Sequence, residues 1–450
     1  LGFFLAIILI SHLIRQRRSP SGTMAWLMGL ILIPHIAVPL YLIFGGRKMR
    51  YKQSLKQNIS FPGMTTALVD HEARRLSELI SSFGMPLPAR GHRITLCSDS
   101  CETYHKLMEL LESAEKSIDF ATYVFEHDAT GQSVLEVLTR KARSGVNVRL
   151  LVDDIGAHML KRRHVKDFIA AGGQFARFMP LVHITRRADL RNHRKITLID
   201  DSTVMAGGMN IGDEYMGPTF NPSRWKDLSF VMQGPCVGVY GEIFRQDWLF
   251  ATGRQDKDEQ ITPDGQPHFE EDQIAQVVPS GPDVKGDILY NALVAAIHAA
   301  EERVSIITPY FIPDDSMMQS LTLAAHRGVN VEVIVPQVSN QRLANLARGP
   351  YLRDLTAAGV KVRYYLPGMM HAKVVLIDDD VAMVASANFD LRSMQLNYEV
   401  AMFAYSAQTI NAVAAWVDGL RRQTIANTPL QIPYLRETVE GVARLLAPLL

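Results

Sequence analysis

Hydrophobic and polar positions along the 450 residues fall into three regimes. The first fifty positions are nearly unbroken apolar runs. Leu1 to Ile14 is almost wholly apolar and then meets Arg15, Arg17 and Arg18, and Met24 to Phe44 runs 21 residues without a formal charge. At about 1.5 Å per helical residue the second run is long enough to span a hydrocarbon core. No small-residue cleavage site follows the first run and a second apolar run comes directly after it, so a hairpin of two transmembrane helices over residues 1–50 is expected rather than a signal peptide. Pro34 and Pro39 lie inside the second span, where membrane helices tolerate them. Five basic residues follow it (Arg47, Lys48, Arg50, Lys52 and Lys56) against three in the loop, which predicts a cytoplasmic position for the rest of the chain.

After a membrane-proximal linker at 51–91, the pattern becomes that of short buried strands alternating with amphipathic helices, and it occurs twice. Ala114-Glu115-Lys116-Ser117-Ile118 leads into Tyr123-Val124-Phe125, as Ala300-Glu301-Glu302-Arg303-Val304-Ser305-Ile306 leads into Tyr310-Phe311. Gly145-Val146-Asn147-Val148-Arg149 matches Gly328-Val329-Asn330-Val331-Glu332, and Ala170-Ala171-Gly172 matches Ala357-Ala358-Gly359. The β-branched runs 146–152 and 329–335 follow a glycine, as buried strands do. Residues 130–144 and 315–327 are apolar at helical spacing and end at a glycine. The expected fold class is α/β: two duplicated domains at 92–252 and 274–450 related by a pseudo-twofold. The polar stretch 253–273, with Pro263, Gly265 and Pro267, reads as the linker between them. Leu435, Val439, Val442 and Leu446 share one face of a helix expected in the tail, which predicts a packing helix.

Composition narrows the functions. A formal net charge of +1 argues against a protein that coats nucleic acid. Three cysteines, Cys97, Cys101 and Cys236, are too few for a disulfide framework and have no zinc-like spacing.

Each half carries the pattern His-x-Lys-x4-Asp, as His193, Lys195 and Asp200 and again as His371, Lys373 and Asp378. One such pattern is weak; two at matching places in a duplication are strong. On a strand, residues two apart share a face, so each imidazole converges with an ammonium. Each Asp falls at a strand end before turn formers, where it serves local structure more readily than substrate. Downstream, Gly207-Gly208-Met209-Asn210 matches Ala385-Ser386-Ala387-Asn388, and Asn210, Asn388 and Ser386 are candidates for binding phosphate oxygens. Asp227 and Glu399 each precede a further apolar strand and are candidates for orienting a histidine.

These residues resemble the phospholipase D superfamily. The hydrophobic hairpin, the stretch from Ser19-Pro20 through Ala25-Trp26 to Tyr41-x-x-Phe44-Gly45, and Pro448-Leu449-Leu450 look like the bacterial cardiolipin synthases within it. Ala385 departs from the glycine usual there. The resemblance implies chemistry without metal or other cofactor. His193 would attack phosphorus, His371 would serve as acid and base, Asp227 would orient His371, and Glu399 would orient His193. It implies phosphatidyl transfer between two phosphatidylglycerol molecules at a bacterial inner membrane, with phospholipids rather than nucleic acid as partners and a homo-oligomer as a further possibility. A lipid hydrolase or a phosphatidylserine synthase would use the same apparatus. Arg186, Arg187, Arg191 and Arg194 crowd the first motif and are candidates for holding anionic headgroups. Tyr123, Tyr310 and Trp225 read as packing residues by default.

Overall fold

The computed structural model describes residues 2–14, 20–44, 71–180, 190–253, 269, 271–427 and 432–445. Two compact units divide the chain, with described parts at 2–44 and 71–445. The N-terminal unit has three helices, Gly2–Ile14, Pro20–Leu32 and Pro34–Phe44, where two were expected. The second apolar run is broken at Ile33. Pro34 has no N–H to continue the hydrogen-bond ladder, so one helix ends at Leu32 and another begins at the proline. No described helix is long and apolar enough to cross a membrane. The three close on a small core of Leu9, Leu13, Leu30, Ala37, Val38 and Tyr41, with Trp26 edge-on to Tyr41. Ile7, Ile8, Met28, Ile31, Leu32, Ile33 and Ile36 face outward. The basic residues at 15–18 and 47–56, Arg186 and Arg187, most of the expected linkers, and Leu446 to Leu450 lie outside the described residues.

In the larger unit, strands of the first half are β1 (Ala89–Cys97), β2 (Ser117–Thr122), β3 (Asn147–Asp153), β4 (Gln174–Phe178), β5 (Ile196–Ile199), β6 (Thr203–Gly207) and β7 (Ser229–Gln233). Those of the second are β8 (Gln273–Ser280), β9 (Arg303–Ile307), β10 (Phe311–Ile312), β11 (Asn330–Pro336), β12 (Lys361–Tyr365), β13 (Val374–Ile377), β14 (Val381–Ala385), β15 (Phe389–Asp390), β16 (Glu399–Ala404) and β17 (Thr424–Ala426). The halves order them identically: β1-β7-β6-β5-β2-β3-β4 repeats as β8-β16-β14-β13-β9-β11-β12. The duplication is therefore one of topology as well as sequence. The sequence pattern did not reveal the seam. β1 and β8 pair antiparallel, with Ala89 opposite Ala275 and His92 opposite Gln273, and this fuses both halves into a 15-stranded sheet.

Helices on both faces bury the sheet, which is why strands such as β8 and β14 are buried at every position. One core runs under both halves, joining Val239, Ile243 and Phe244 of helix Val237–Thr252 to Val413 and Val417 of helix Ala407–Arg421. Of two further cores, one lies in the first half, and the other joins the second half to Ala73, Leu76, Ile80 and Met85 from ahead of β1. The expected helices appear at Ala129–Arg143 and Asp315–His326, each capped by an aspartate side chain, Asp128 or Asp314, that accepts a first-turn N–H.

Two sequence readings change here. The tail helix Tyr434–Leu445 docks through its polar side: Glu440 and Ala443 are buried, Arg353 donates to Glu440 at 2.5 Å, and Arg444 lies over Tyr351. Leu435, Val439 and Val442, expected to pack, are exposed. Arg194, expected among headgroup ligands, is wholly buried at the seam. It does not line the cavity that its neighbours His193 and Lys195 line. Its guanidinium donates to Asp247 at 2.8 Å, to Asp283 at 3.0 and 3.1 Å, and to the carbonyls of Ser280 and Glu399 at 3.3 and 3.0 Å. Removing one member of such a network strands the others without water. Arg194→Met is expected to cost about 3–5 kcal/mol of folding free energy in urea denaturation, and a loss below about 1 kcal/mol would contradict this reading.

Candidate active site

Each histidine motif is docked on the other half by the same backbone exchange. His193 N–H donates to Tyr398 O at 2.9 Å and Tyr398 N–H to Arg191 O at 2.9 Å. His371 N–H donates to Lys226 O at 2.6 Å and Lys226 N–H to Met369 O at 2.8 Å. The residue after each docking partner is a carboxylate, so the carboxylate arrives at the opposite half's imidazole. His371 Nδ1 lies 2.7 Å from Asp227 Oδ2, and His193 Nδ1 lies 3.2 Å from Glu399 Oε1. Asp227 and Glu399 are fully buried.

The small residues after β6 and β14 make room for this exchange. A Cβ on Gly208 would sit 2.1 Å from Asp227 Oδ1, and Gly207 has φ +138° with its would-be Cβ 2.6 Å from the Ser229 Cα. The second half answers differently. Ser386 stands where Gly208 does, and its hydroxyl donates to Glu399 while accepting the Val400 N–H at 3.0 Å. Glu399 is one methylene longer than Asp227, and Ser386 occupies the corresponding place beside it.

Both histidines, both lysines, Asn210, Asn388 and Ser386 line a cavity of about 400 Å³ between the halves. Lys195 Nζ donates to His193 O at 2.7 Å. Lys373 Nζ donates to His371 O and lies 2.8 Å and 3.1 Å from the two ring nitrogens of His371. Burial, then the Lys373 ammonium, push the His371 imidazole down to about 4, against the opposing pull of Asp227. Burial likewise lowers Lys373, to about 7, with Asp227 acting against it. Burial and the neighbouring Lys373 ammonium thus disfavour the His371 imidazolium, while the Asp227 carboxylate favours it.

Asp200 and Asp378 stand apart from the cavity. Asp200 accepts the N–H groups of Glu115, Lys116 and Ser117 at 2.7–2.9 Å, and Asp378 those of Glu301, Glu302 and Arg303 over the same range. Both sit in left-handed backbone, with φ of 50° and 46°. The sequence placed each at a strand end as a residue of local structure, and neither lines the cavity. They pin the turn entering β2 or β9 against the strand that carries the lysine. Tyr123, Tyr310 and Trp225, read as packing residues, line the cavity. The Tyr123 ring is 3.9 Å from that of His193, and the Trp225 ring 5.4 Å from that of His371. Sequence reasoning missed Tyr215, Asp390, Arg392 and Asn397 on the same wall. Their signal was position: all follow an Asn of the duplicated pattern or precede its carboxylate. Among the described residues no group of three or more His, Cys, Asp or Glu is placed to hold a metal ion.

Comparison with known proteins follows the same outline. Residues 107–248 and 293–421 match the family "Cardiolipin synthase, PLD-like domain", and residues 4–46 match "Phospholipase D-nuclease N-terminal". The cardiolipin synthase of Alkalihalophilus pseudofirmus is 30% identical over all of this chain and 93% of its own length. Cardiolipin synthase A of Pseudomonas putida is 30% identical over 99% of this chain and 96% of its own. Among solved structures, phosphatidylserine synthase of Haemophilus influenzae shares the fold, with TM-score 0.62 and 17% identity over 84% of this chain and 98% of that one.

The low proton affinity of His371 makes folding pH-dependent. With an unfolded value near 6.5 and a folded value near 4, the unfolded chain binds more protons between these limits, so stability is present above about 6.5 and is lost as pH falls toward 4. Between pH 7 and pH 5 the wild type is expected to lose roughly 2 kcal/mol more than His371→Gln in urea titrations, and equal losses would contradict the assignment.

Proposed function

Because this chain belongs to the cardiolipin synthase family of phospholipase D-like proteins, we propose that its cavity transfers a phosphatidyl group from one phosphatidylglycerol to another, giving cardiolipin and glycerol. The observation that carries the reading is the pair of imidazoles on one cavity, each with Nδ1 against a buried carboxylate of the other half. A carboxylate on Nδ1 holds the proton there and leaves the Nε2 lone pair for chemistry.

The mechanism follows from these contacts. One imidazole Nε2 attacks phosphorus while the bond from phosphorus to the glycerol oxygen breaks, and the other imidazole, which must enter this step as the imidazolium, gives its Nε2 proton to that oxygen and is left neutral. The phosphatidyl group then rests on nitrogen. The second imidazole takes the proton of an incoming hydroxyl, whose oxygen attacks phosphorus as the phosphorus–nitrogen bond breaks. One phosphodiester replaces another, so no nucleotide is consumed. Lys195, Lys373, Asn210 and Asn388 face the phosphoryl oxygens, where negative charge develops. The Asn388 amide oxygen is buried without a hydrogen-bond partner, a polar group that a bound ligand would satisfy. The resemblance gives His193 the attacking role and His371 the acid–base role, while the duplicated geometry serves either order.

The N-terminal unit is proposed to embed in the bacterial inner membrane as a multi-pass anchor, with the catalytic halves on the cytoplasmic side. Its outward face of isoleucine, leucine and methionine supports this, since lipid is the solvent in which such a face is stable. Pro34 would then act as a kink within a longer crossing rather than as its end.

Purified protein incubated with phosphatidylglycerol, chelator and no nucleotide is expected to yield cardiolipin and glycerol in equal amounts. His193→Ala and His371→Ala are each expected to lower turnover by 10³-fold or more, on the order of losing a nucleophile or its proton partner. Phosphatidic acid in place of cardiolipin would make the enzyme a hydrolase, and comparable activity in either variant would end the two-histidine mechanism.

A further inference from the structure

Cardiolipin formation, on the reading above, brings a second anion to the cavity. The acceptor phosphatidylglycerol carries its own phosphodiester one glycerol bridge away from the hydroxyl that attacks. Hydrolysis, or transfer to a small alcohol, brings only one.

The duplicated machinery supplies one cation per half, Lys195 and Lys373, for the phosphate between the histidines. The cavity wall holds two further cations that the motif does not use, Arg191 and Arg392. The pseudo-twofold shows that both are unmatched. Arg191 O accepts the Tyr398 N–H as Met369 O accepts the Lys226 N–H, so methionine takes its place in the other half. Arg392 stands four residues beyond Asn388, where Glu214 stands four beyond Asn210. Groups present twice serve the duplicated chemistry. A cationic pair present once matches a requirement that occurs once.

Their surroundings fit that use. Arg191 is almost fully buried, 3.9 Å from Asp153, and Arg392 Nε donates to Asn397 Oδ1 at 3.5 Å. Asn397 Nδ2 in turn lies 3.4 Å from His193 Nδ1, so Arg392 stands one residue from an imidazole. Asp390, on the same wall, is fixed by the Ser393 N–H at 2.7 Å and the Ser393 hydroxyl at 3.1 Å. A carboxylate held in this way can accept from the free hydroxyl of a bridging glycerol.

We propose that Arg191 and Arg392 form a second phosphate subsite, which binds the phosphodiester of the acceptor lipid. Guanidinium suits the task because its planar fork matches two phosphate oxygens and keeps its charge when buried. The subsite makes a lipid, rather than water or a small alcohol, the favoured acceptor.

The test gives the full-length enzyme two acceptors with one donor. Phosphatidylglycerol micelles containing ethanol report cardiolipin when the acceptor carries phosphate and phosphatidylethanol when it does not. In Arg392→Gln, cardiolipin formation is expected to fall on the order of tenfold or more while phosphatidylethanol formation changes by less than about threefold, because one charge-assisted hydrogen bond is lost only to the acceptor. Arg392→Lys, which keeps charge without the fork, should fall between. Parallel loss of both products would assign Arg392 to the common step or to folding and overturn the subsite, as would unchanged cardiolipin formation. A wild type that makes phosphatidylethanol or phosphatidic acid but no cardiolipin would overturn the transferase reading, and the subsite with it.

Discussion

The structure depends on one constraint: each imidazole of the cavity meets a carboxylate that belongs to the other half of the chain. The backbone exchanges at Tyr398 and Lys226 set this crossing, and Asp227 and Glu399 complete it. Neither half holds its own histidine in a defined tautomer. The pairing of β1 with β8 joins the same two halves through the sheet. Arg194 reinforces the seam from within, bonding carboxylates of both halves and the carbonyl of Glu399 itself. A site built this way forms only when the whole unit folds, which keeps its buried charges from being exposed singly.

Much of this was legible in the sequence because it is written in periodic features. The duplication, the buried strands after glycine and the helices at 129–143 and 315–326 follow from spacing alone. The histidines and lysines were found by motif, and two-residue spacing put each pair on one face. What escaped depends on contacts between distant segments. Arg194 reads as one more arginine in a basic cluster, and only the seam shows its four partners on two strands, a helix and a loop. The tail helix misled for a related reason. Its apolar stripe is the stronger sequence signal, yet burial of Glu440 against Arg353 decides which side docks. In the N-terminal unit, Pro34 was expected to be tolerated within one span, and the run is instead divided there into two helices.

The two halves are alike where chemistry needs a pair and unlike where the reaction is one-sided. Tyr215 and Trp225 flank His371, whereas Ser393 and Asn397 hold the equivalent places toward His193. Arg191 and Arg392 stand against Met369 and Glu214. On the proposed mechanism, duplication supplies the two imidazoles of covalent transfer, and divergence at a handful of positions selects the alcohol.

The central claim is the crossing itself, and the imidazole nitrogen resonances of the two histidines report on it most directly. The measurement is their tautomer and chemical shift in the wild type, in Asp227→Asn and in Glu399→Gln. The account predicts that Asp227→Asn perturbs the ring of His371 and leaves that of His193 unchanged, and that Glu399→Gln does the reverse. Perturbation of the histidine in the same half as the substituted carboxylate, or of neither, would contradict it.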